Sequence, residues 1–454
     1  MPFVATNPTT GEVIATYSSL DAAGIENVLD RSSRAFETWR QTSFSERALL
    51  MNRAAELLES EVPVVAEMMS REMGKTFAAA KGEVAKCAMT MRYYAEHAES
   101  MLASEAIATS GTASGIRFDP IGAVLAIMPW NFPLWQAVRF AAPTVMAGNV
   151  GILKHAPNVP ACAEFLGMLF RRAGFPEGVF QNAFIEIEDI EGVIADPRVA
   201  AVTLTGSERA GRSVGEIAGR NLKKCVLELG GSDAFIIADS ADLDDVIPFA
   251  VTARVQNNGQ SCIASKRFIV VASRAEEFTS RFVEAMGAVV VGNPMDPATV
   301  VGPLVSAAQR DGLAAQVNDG IKNGARALTG GAPLDGPGFF YPPTVLVDVD
   351  LASRAGCEEL FGPVAVVHTV PDLPAAIALA NATPWGLGGS IWATDQVEVD
   401  AAISGIEAGM VFANAVVAST PELPFGGIKN SGFGRELSAY GIKEFVNVKT
   451  FYQA

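Results

Sequence analysis

The sequence predicts an α/β protein with more than one domain, built on parallel β-sheets. Three observations support this prediction. The chain has 454 residues, whereas a typical domain has about 100–200. Short apolar runs such as GAVLAIM and NVGILK, typical of strands buried on both faces, alternate with helix-period segments. Finally, 42 glycines and 25 prolines indicate many short elements joined by tight turns.

The first hundred residues are expected to form a layer of packing helices. The segment SERALLMNRAAELLESEVPVVAEMMSREMGKTFAAAKGEVAKCAMTMRYYAEHAESML has apolar residues at helical spacing with charges between them. The following GTASGIRFDPIG is rich in turn residues, which indicates a short excursion away from the body of the domain.

A strand, helix and strand are then predicted from Gly122 to Lys154, with the helix opening at NFPLWQ. Two further units of the same style contain RVAAVTLTGS and KKCVLELGG, which together indicate an α/β nucleotide-binding domain. A second α/β unit runs from about Ser232, through SKRFIVVAS, to about Thr420. It is followed by PELPFGGIKNSGFGRE, whose glycines predict tight backbone turns, and by EFVNVKTFYQA, a short strand able to pair with another chain.

The charge and the cysteines exclude several classes of function. Lys and Arg total 34 against 50 Asp and Glu, and the net charge of −16 repels nucleic acid and anionic membranes. The longest uncharged stretch, from Pro120 to Val138, is interrupted by Pro129, Asn131, Pro133 and Gln136, so we expect buried core there and no membrane helix. The opening MPFVATNPTTGEV lacks the features of a secretory signal. Five widely spaced cysteines without a CxxC pair argue against disulfides and thiolate metal sites, and favour the cytoplasm.

Cys262 is the candidate nucleophile, because the polar run NNGQS before it suits a sharp turn after a helix. The usual partner of a catalytic cysteine is histidine, but none of the three histidines lies in a distinctive motif. A Cys-His hydrolase is therefore weakly supported. The other four cysteines are expected to be structural, buried residues; they are Cys87, Cys162, Cys225 and Cys357.

Two further residues could complete a catalytic site. Glu228 ends an apolar strand before a Gly-Gly pair, at the edge where ligands approach α/β sheets, and is a candidate base. An exposed or salt-bridged glutamate is the alternative interpretation. Asn131, in MPWNFP, can donate to a developing oxyanion without titrating, although a helix N-cap ahead of Pro133 is equally consistent with its position.

These motifs together resemble the aldehyde dehydrogenase superfamily. VLELGGSD is similar to its glutamate signature and NNGQSCIASKR to its cysteine signature, while MPWNFP, LTGS, EELFGP and PFGGIKNSGFGRE follow its other landmarks in order. The resemblance covers nearly the whole chain. It implies a Rossmann-like dinucleotide-binding domain (1–108 and 120–231), a catalytic domain carrying the cysteine (232–420), and a small β flap for oligomerisation (109–119 and 436–454). A homodimer or homotetramer is then expected.

The resemblance also implies a mechanism. Cys262, as a thiolate, attacks an aldehyde to give a thiohemiacetal, whose oxyanion is held by Asn131 and the Cys262 backbone N–H. Hydride passes to a nicotinamide ring, and Glu228 activates the water that hydrolyses the thioester. No metal is implied. Ala264 stands where some relatives carry a second cysteine, so a local disulfide switch is not available.

Cofactor residues follow by motif position. Gly206 and Ser207 would meet the pyrophosphate at a helix N-terminus, while the remaining positions serve the ribose rings or shape the pocket: Lys154, Glu359, Trp130, Leu229 and Phe361. Where NAD-preferring relatives often carry glutamate, this chain has Pro157. No carboxylate would repel a 2′-phosphate there, so we expect NADP, with NAD also accepted.

The substrate is expected to be a small aldehyde that carries a carboxylate. Helical spacing lets Asn131, Trp135 and Arg139 face one cleft. Arg139 is the only charge between Pro120 and Lys154, so it would anchor the carboxylate, with Ser419 as a second donor; a protein carboxylate is its alternative partner. MPWNFPLWQ and KHAPNVP resemble the succinate semialdehyde branch of the superfamily. Glutarate semialdehyde, an aliphatic aldehyde, a CoA-acylating reaction and a catalytically silent structural relative remain alternatives.

Overall fold

The computed structural model describes residues 3–454, which form an α/β protein around two large, mainly parallel sheets. Met1 and Pro2, the first residues of the predicted 1–108 segment, lie outside the described residues. The strands are β1 Phe3–Thr6, β2 Val13–Tyr17, β3 Glu105–Ala106, β4 Ala113–Pro120, β5 Ala123–Met128, β6 Val150–His155, β7 Phe180–Asn182, β8 Val199–Thr205, β9 Lys224–Glu228, β10 Ala234–Ile237, β11 Arg267–Val271, β12 Arg326–Thr329, β13 Thr344–Val347, β14 Val364–Val370, β15 Trp385–Gly386, β16 Gly388–Trp392, β17 Met410–Ala413, β18 Ile428–Lys429, β19 Gly432–Phe433 and β20 Val446–Gln453.

The α-helices precede, connect and cover these strands. They are α1 Ala22–Trp39, α2 Phe44–Ser60, α3 Val62–Met73, α4 Phe77–Met101, α5 Trp135–Met146, α6 Pro160–Ala173, α7 Ile190–Ala195, α8 Glu208–Arg220, α9 Leu243–Val255, α10 Ala272–Gly287, α11 Ala307–Lys322, α12 Arg354–Cys357, α13 Leu373–Asn381, α14 Gln396–Gly405 and α15 Ser438–Ile442. Helices α1 to α4 confirm the predicted helical layer. Their ends follow local chemistry: a capping box of Ser43 and Glu46 begins α2, and Gly74, at φ 82°, ends α3.

The first large sheet has the strand order β19-β9-β8-β5-β6-β7 and is parallel except for β19. Its central strands are mainly apolar and buried, and all six residues of β6 are buried. Leu125 on β5 lies opposite Ile152 on β6 and Val202 on β8. The four strands predicted in the first α/β unit are thereby confirmed, and their burial on both faces explains why they read as continuous apolar runs.

The second large sheet has the order β12-β13-β14-β11-β10-β16-β17 and is parallel except for its edge strand β12. Side chains alternate between two separate cores on its faces. Phe235 and Phe268 lie in one core, whereas Ile236 and Ile269 lie in the other. The predicted strand in SKRFIVVAS is confirmed as β11.

A third sheet of three strands, in the order β20-β4-β3, stands apart from the two large ones. EFVNVKTFYQA is confirmed as a strand, since Val446 lies opposite Pro120 and Gln453 opposite Ala113. Most of GTASGIRFDPIG is strand β4, so the predicted excursion lies in a separate sheet and consists of extended strand. Its turn residues include Gly115, on which a Cβ would lie 2.3 Å from the carbonyl oxygen of Glu105, so the close strand pairing needs glycine there.

The five cysteines carry free thiols. Cys87 and Cys162 are buried and Cys225 is half-buried, but Cys357 is exposed at the end of α12, which corrects the expectation that it is a buried residue. Within residues 3–454, no helix combines the length and the apolar character needed to cross a membrane.

Candidate active site

The candidate site lies where the carboxyl ends of the first sheet's strands face the second unit. Strand β5 runs into the MPWNFP segment, β8 ends at Thr205, and β9 ends at Glu228. Cys262 comes from the other unit, on the loop between α9 and β11. Residues from both α/β units therefore meet at one place, which is where open α/β sheets bind their ligands.

The turn that carries Cys262 is built from three residues with left-handed backbone. Asn257 has φ 54°, Asn258 φ 58° and Gly259 φ 73°. Asparagine tolerates this conformation, and glycine is required at the third position because a Cβ would lie 2.3 Å from the carbonyl carbon of Gly362. The predicted sharp turn after a helix is thereby confirmed.

Side chains of the turn bond it to its surroundings. The Asn257 amide donates to the Asn131 carbonyl oxygen at 2.8 Å, which ties the turn to the MPWNFP segment. Lys266 Nζ donates to the carbonyl oxygens of Ser261 and Cys262, at 3.0 and 2.5 Å, and lies 3.3 Å from Glu359 Oε1. The backbone on both sides of Cys262 is therefore held, and a positive charge lies close to it.

Two cavities of about 220 Å³ each share Cys262 and Gln136 in their walls. We call them the first and the second cavity. The first is lined by residues of α4, α5 and the loops around Cys262 and Ser419: Ala79, Gly82, Glu83, Lys86, Phe132, Trp135, Gln136, Arg139, Gln256, Ser261, Cys262, Ile263, Ala418, Ser419 and Phe425. The second is lined by Pro129, Trp130, Asn131, Gln136, Thr205, Gly206, Ser207, Leu229, Gly230, Cys262, Gln309, Glu359 and Phe361. Cys262 is thus accessible from two separate spaces.

The first cavity has two cations and a hydroxyl in its wall. Lys86 Nζ donates to Ser419 Oγ at 2.7 Å and lies 4.1 Å from the centre of the Trp135 ring. Arg139 Nη2 lies 2.5 Å from Glu436 Oε2, and the guanidinium lies 4.3 Å from the Phe425 ring centre. A protein carboxylate, the alternative partner for Arg139, is therefore present in the structure as Glu436.

Asn131 lines the second cavity with Cys262, whereas Trp135 and Arg139 line the first. Asn131 Nδ2 donates to the Gln260 carbonyl oxygen at 3.1 Å, which leaves its other amide hydrogen free. The N-cap interpretation of Asn131 was wrong, because α5 begins only at Trp135, after Leu134. The buried Glu83 carboxylate accepts the first N–H groups of this helix instead.

Glu228 is buried at the end of β9, with 2% of its surface exposed, and neither of its oxygens has a hydrogen-bond partner among residues 3–454. Neither of the two cavities at Cys262 includes it in its wall. Gly426 packs against it so closely that a Cβ would lie 2.5 Å from Glu228 Oε1. Burial, and then the nearby Glu436, raise the pKa of Glu228 well above its ordinary value. The exposed or salt-bridged alternative is therefore wrong.

Burial likewise raises the pKa of the Cys262 thiol, to about 12, although Lys266 and Arg139 oppose the rise. The free thiol is thus protonated at neutral pH, and its proton must be removed as it reacts. The positive groups nearby favour the thiolate once that happens.

The second cavity fits the nicotinamide half of a dinucleotide. Trp130 and Phe361 meet edge to face, with ring centres 5.7 Å apart, and form an apolar wall beside Leu229. Ser207 caps α8, and with Gly206 it presents that helix N-terminus to the cavity. Glu359 Oε1 accepts the Gly231 N–H at 3.2 Å, which holds this carboxylate at the cavity wall.

A separate cavity of about 230 Å³ near the end of β6 fits the adenosine half. Phe3, Lys154 and Pro157 are in its wall. Lys154 is only 7% exposed, and burial lowers its pKa. The cofactor residues predicted from the sequence are therefore divided between these two spaces. No cluster of three His, Cys, Asp or Glu side chains suited to a metal ion occurs in the described part of the chain.

Sequence reasoning missed four residues of the site: Lys86, Gln136, Lys266 and Glu436. Lys86 lies in a helix that reads as ordinary packing, and Gln136 lies within a predicted buried helix. Neither carries a signal of its own. Lys266 and Glu436 stand inside quoted motifs, NNGQSCIASKR and PFGGIKNSGFGRE, where their charges were the available signal.

Comparisons with known proteins place the chain in a family. The sequence model of the aldehyde dehydrogenase family matches residues 2–451. The chain is 52% identical to succinate-semialdehyde dehydrogenase (NADP+) 1 of Mycobacterium tuberculosis (strain ATCC 25618 / H37Rv), with 100% of both chains covered. It is similar to the solved structures of Gox0499 (TM-score 0.98, 42% identity, 100% of both chains) and of succinic semialdehyde dehydrogenase from Streptococcus pyogenes in complex with NADP+ (TM-score 0.97, 39% identity, 99% of both chains).

Proposed function

The chain belongs to the aldehyde dehydrogenase family, and we propose that it oxidises succinate semialdehyde to succinate with NADP+ through a covalent intermediate on Cys262. The position of Cys262 in the wall shared by the two cavities is the observation that carries this proposal. A nucleophile placed there can hold an aldehyde from the first cavity while the second holds the nicotinamide.

Addition of the thiol begins the reaction. Cys262 Sγ forms a bond to the aldehyde carbon, the thiol proton leaves to water, and the carbonyl oxygen becomes an oxyanion. The free amide hydrogen of Asn131 and the backbone N–H of Cys262 would stabilise that oxyanion. NADP+, when bound, supplies the oxidant that removes hydride from the thiohemiacetal carbon and leaves a thioester.

Hydrolysis of the thioester completes the reaction. Glu228 takes a proton from water, the water oxygen bonds to the acyl carbon, and the C–S bond breaks to release the acid and the Cys262 thiolate. Burial raises the pKa of Glu228, so its carboxylate is a stronger base than an exposed one. Because Glu228 lies behind the cavity walls, its carboxylate has to turn toward Cys262 or act through one water molecule.

The polar end of the first cavity supports a substrate with a carboxylate. Lys86, Arg139 and Ser419 form this end, and Trp135 provides its apolar side. The M. tuberculosis relative bears the name of the same substrate, at 52% identity over the whole chain. Glutarate semialdehyde and uncharged short aldehydes are the competing substrates, since the cavity alone does not measure chain length.

NADP+ is the proposed oxidant, and we expect NAD+ to be accepted as well. The relatives and the S. pyogenes structure are named for NADP+. Lys154 provides a positive charge at the adenosine end, and position 157 itself carries proline and no carboxylate, although Glu186 and Glu188 also line this cavity. Glu228 argues against the CoA-acylating alternative, and the complete set of Cys262, Glu228 and Asn131 argues against a silent relative.

We further propose the division into domains at 1–108 with 120–231, 232–420, and 109–119 with 436–454, an oligomer of identical chains, and a cytoplasmic location. The separate three-stranded sheet supports the oligomer, and the unpaired thiols support a reducing compartment.

The test is to measure NADPH formation, from its absorbance, with succinate semialdehyde, glutarate semialdehyde and butanal, each with NADP+ or NAD+ and with or without CoA. Succinate semialdehyde with NADP+ should give the highest kcat/KM without CoA. Cys262→Ala should abolish activity while dinucleotide binding survives, and Cys225→Ala on the neighbouring β9 serves as the control. A requirement for CoA, or a preference for butanal, would contradict the proposal.

A further inference from the structure

We infer that Lys86 binds the carboxylate of the substrate, with Ser419 as the second donor, and that Arg139 serves Glu436 instead. This inference rests on the proposed function, because it names the residue that recognises the acid end of a semialdehyde. The sequence favoured Arg139, on α5, as the residue that binds the carboxylate. The structure favours Lys86, on α4.

Helix α4 presents one continuous face to the first cavity. Ala79, Gly82, Glu83 and Lys86 lie in the cavity wall, at the three- and four-residue spacing of a single helix face. Lys86 extends from this face across the Trp135 ring, and the contact between its ammonium and the ring fixes the direction of the side chain. The ammonium therefore lies in the same cavity as Cys262.

The balance of charges around the first cavity leaves Lys86 as the cation that needs a counter-ion. Glu83 is buried and forms an ion pair with Lys75. Arg139 is buried and forms an ion pair with Glu436. No carboxylate within ion-pair distance of Lys86 occurs among residues 3–454. An uncompensated positive charge on a largely apolar wall is costly, and a bound carboxylate would remove that cost.

The hydrogen bond between Lys86 and Ser419 leaves both groups able to donate. Lys86 gives one of its three hydrogens to Ser419 Oγ, so two hydrogens of the ammonium remain. Because Ser419 Oγ accepts from Lys86, its own hydroxyl hydrogen is free to donate to a ligand. A carboxylate has two oxygens, and the pair can therefore bind one each with charge-assisted hydrogen bonds.

The decisive measurement is the kcat/KM ratio of succinate semialdehyde to butanal, two aldehydes of the same carbon number that differ in the carboxylate. Lys86→Met removes the charge and keeps the length of the side chain. We expect the KM for succinate semialdehyde to rise roughly 10- to 100-fold, the loss of one or two charge-assisted bonds, with butanal little changed. Lys81→Met, which alters an exposed lysine five residues earlier on α4, is the matched control and should change the kcat/KM of neither aldehyde.

Arg139→Met separates the two cations. It removes the partner of Glu436, which is close to Glu228, so we expect it to lower kcat for both aldehydes alike. A selective rise in the succinate semialdehyde KM in Arg139→Met, together with an unchanged ratio in Lys86→Met, would overturn the inference.

The pH dependence gives a second, independent test. Burial, and then the charge of Arg139, lower the pKa of Lys86 to about 8, against the opposing effects of Cys87 and Glu83. The ammonium is charged below that pH, so the preference for succinate semialdehyde should decline as the pH rises through 8. The ratio of two kcat/KM values reports the free enzyme and cancels the titration of Cys262 and Glu228, which both substrates share.

Lys86→Arg should keep the preference above pH 8, because a guanidinium does not titrate there. A preference that declines equally in Lys86→Arg and in the wild type would overturn the inference, and this test remains available if Lys86→Met does not fold. The two hypotheses also fail differently. A wild-type enzyme without preference for succinate semialdehyde contradicts the proposed function, whereas a preference that persists in folded Lys86→Met contradicts only the role of Lys86.

Discussion

A buried carboxyl group without a hydrogen-bond partner retains its proton more firmly than one in water, and Glu228 is such a group. Two neighbours act in opposite directions on the pKa of Glu228. Glu436 disfavours ionisation of Glu228, whereas Arg139, which is paired with Glu436, favours it. Binding events that move any of these three side chains will therefore change the basicity of Glu228. Three residues that are far apart in the sequence act as one unit here.

Glu228→Gln should separate acylation from deacylation. The amide cannot take a proton from water, so we expect one equivalent of NADPH in a rapid burst, followed by a steady-state rate reduced roughly 100- to 1,000-fold. Rapid-mixing absorbance measures the burst, and intact mass spectrometry should detect the acyl group on Cys262. A slower burst of the same amplitude would indicate that Glu228 also removes the thiol proton.

Glu216→Gln, an exposed glutamate on α8, is the control for this substitution and should behave as the wild type. The absence of a burst, together with an undiminished steady-state rate, would contradict the role of Glu228 as the base for deacylation.

Residues at strand ends and turns could be predicted from the sequence, whereas residues on packing helices could not. Glu228 ends an apolar strand, Asn131 follows one, and Cys262 follows a turn of asparagine and glycine, so each had a local signal. Lys86 had none, because the periodicity of α4 indicates which face is buried but not that part of this face lines a cavity. Its place depends on how α4 packs against α5, which is a tertiary property.

Among the elements, the turn before Cys262 is the one whose geometry catalysis depends on most directly. Gly259 in this turn meets two constraints. Its φ of 73° is left-handed, and a Cβ on it would lie 2.3 Å from the carbonyl carbon of Gly362. Arg254 Nη2 also donates to the Gly259 carbonyl oxygen at 2.7 Å. A side chain at Gly259 would displace the backbone that positions the nucleophile.

Gly259→Ala is therefore expected to lower the free energy of unfolding by about 1–3 kcal/mol, and to reduce kcat by more than it changes KM. Chemical denaturation and steady-state kinetics measure the two effects. Gly312→Ala on the exposed face of α11, where nothing lies within 4 Å of the added Cβ, is the matched control; it should be neutral or stabilise the protein by up to about 1 kcal/mol. Equal behaviour of the two variants would contradict the argument.

At the scale of the whole molecule, the sequence predicts the two large sheets better than it predicts which segments complete them. Parallel strands buried on both faces produce apolar runs that stand out. Strand β19, Gly432–Phe433, returns from the end of the chain to pair with β9 next to Glu228, and a pairing of two residues over such a distance leaves no periodic signal. The glycines of PFGGIKNSGFGRE indicated a close approach without identifying its partner.

The three-stranded sheet exposes apolar side chains on its outer strand. Val448 and Tyr452, four residues apart and therefore on the same side of β20, are each 57% exposed. β20 pairs with β4 along one edge, and nothing in residues 3–454 pairs with its other edge. Native proteins seldom leave an apolar edge strand of this length uncovered, which supports a contact with a second copy of the chain.

The substitution Val448→Asp with Tyr452→Asp should therefore lower the mass of the particle in solution. The aspartates would remove the apolar contact and would repel the same residues of the second chain across a symmetric interface. Size-exclusion chromatography with light scattering should therefore detect a shift from the oligomer toward the monomer. Leu222→Asp, which alters an apolar residue that is 94% exposed at the end of α8, is the control and should leave the mass unchanged. An unaltered mass in the double variant would place the interface elsewhere, and a monomeric wild type would contradict the proposed oligomer itself.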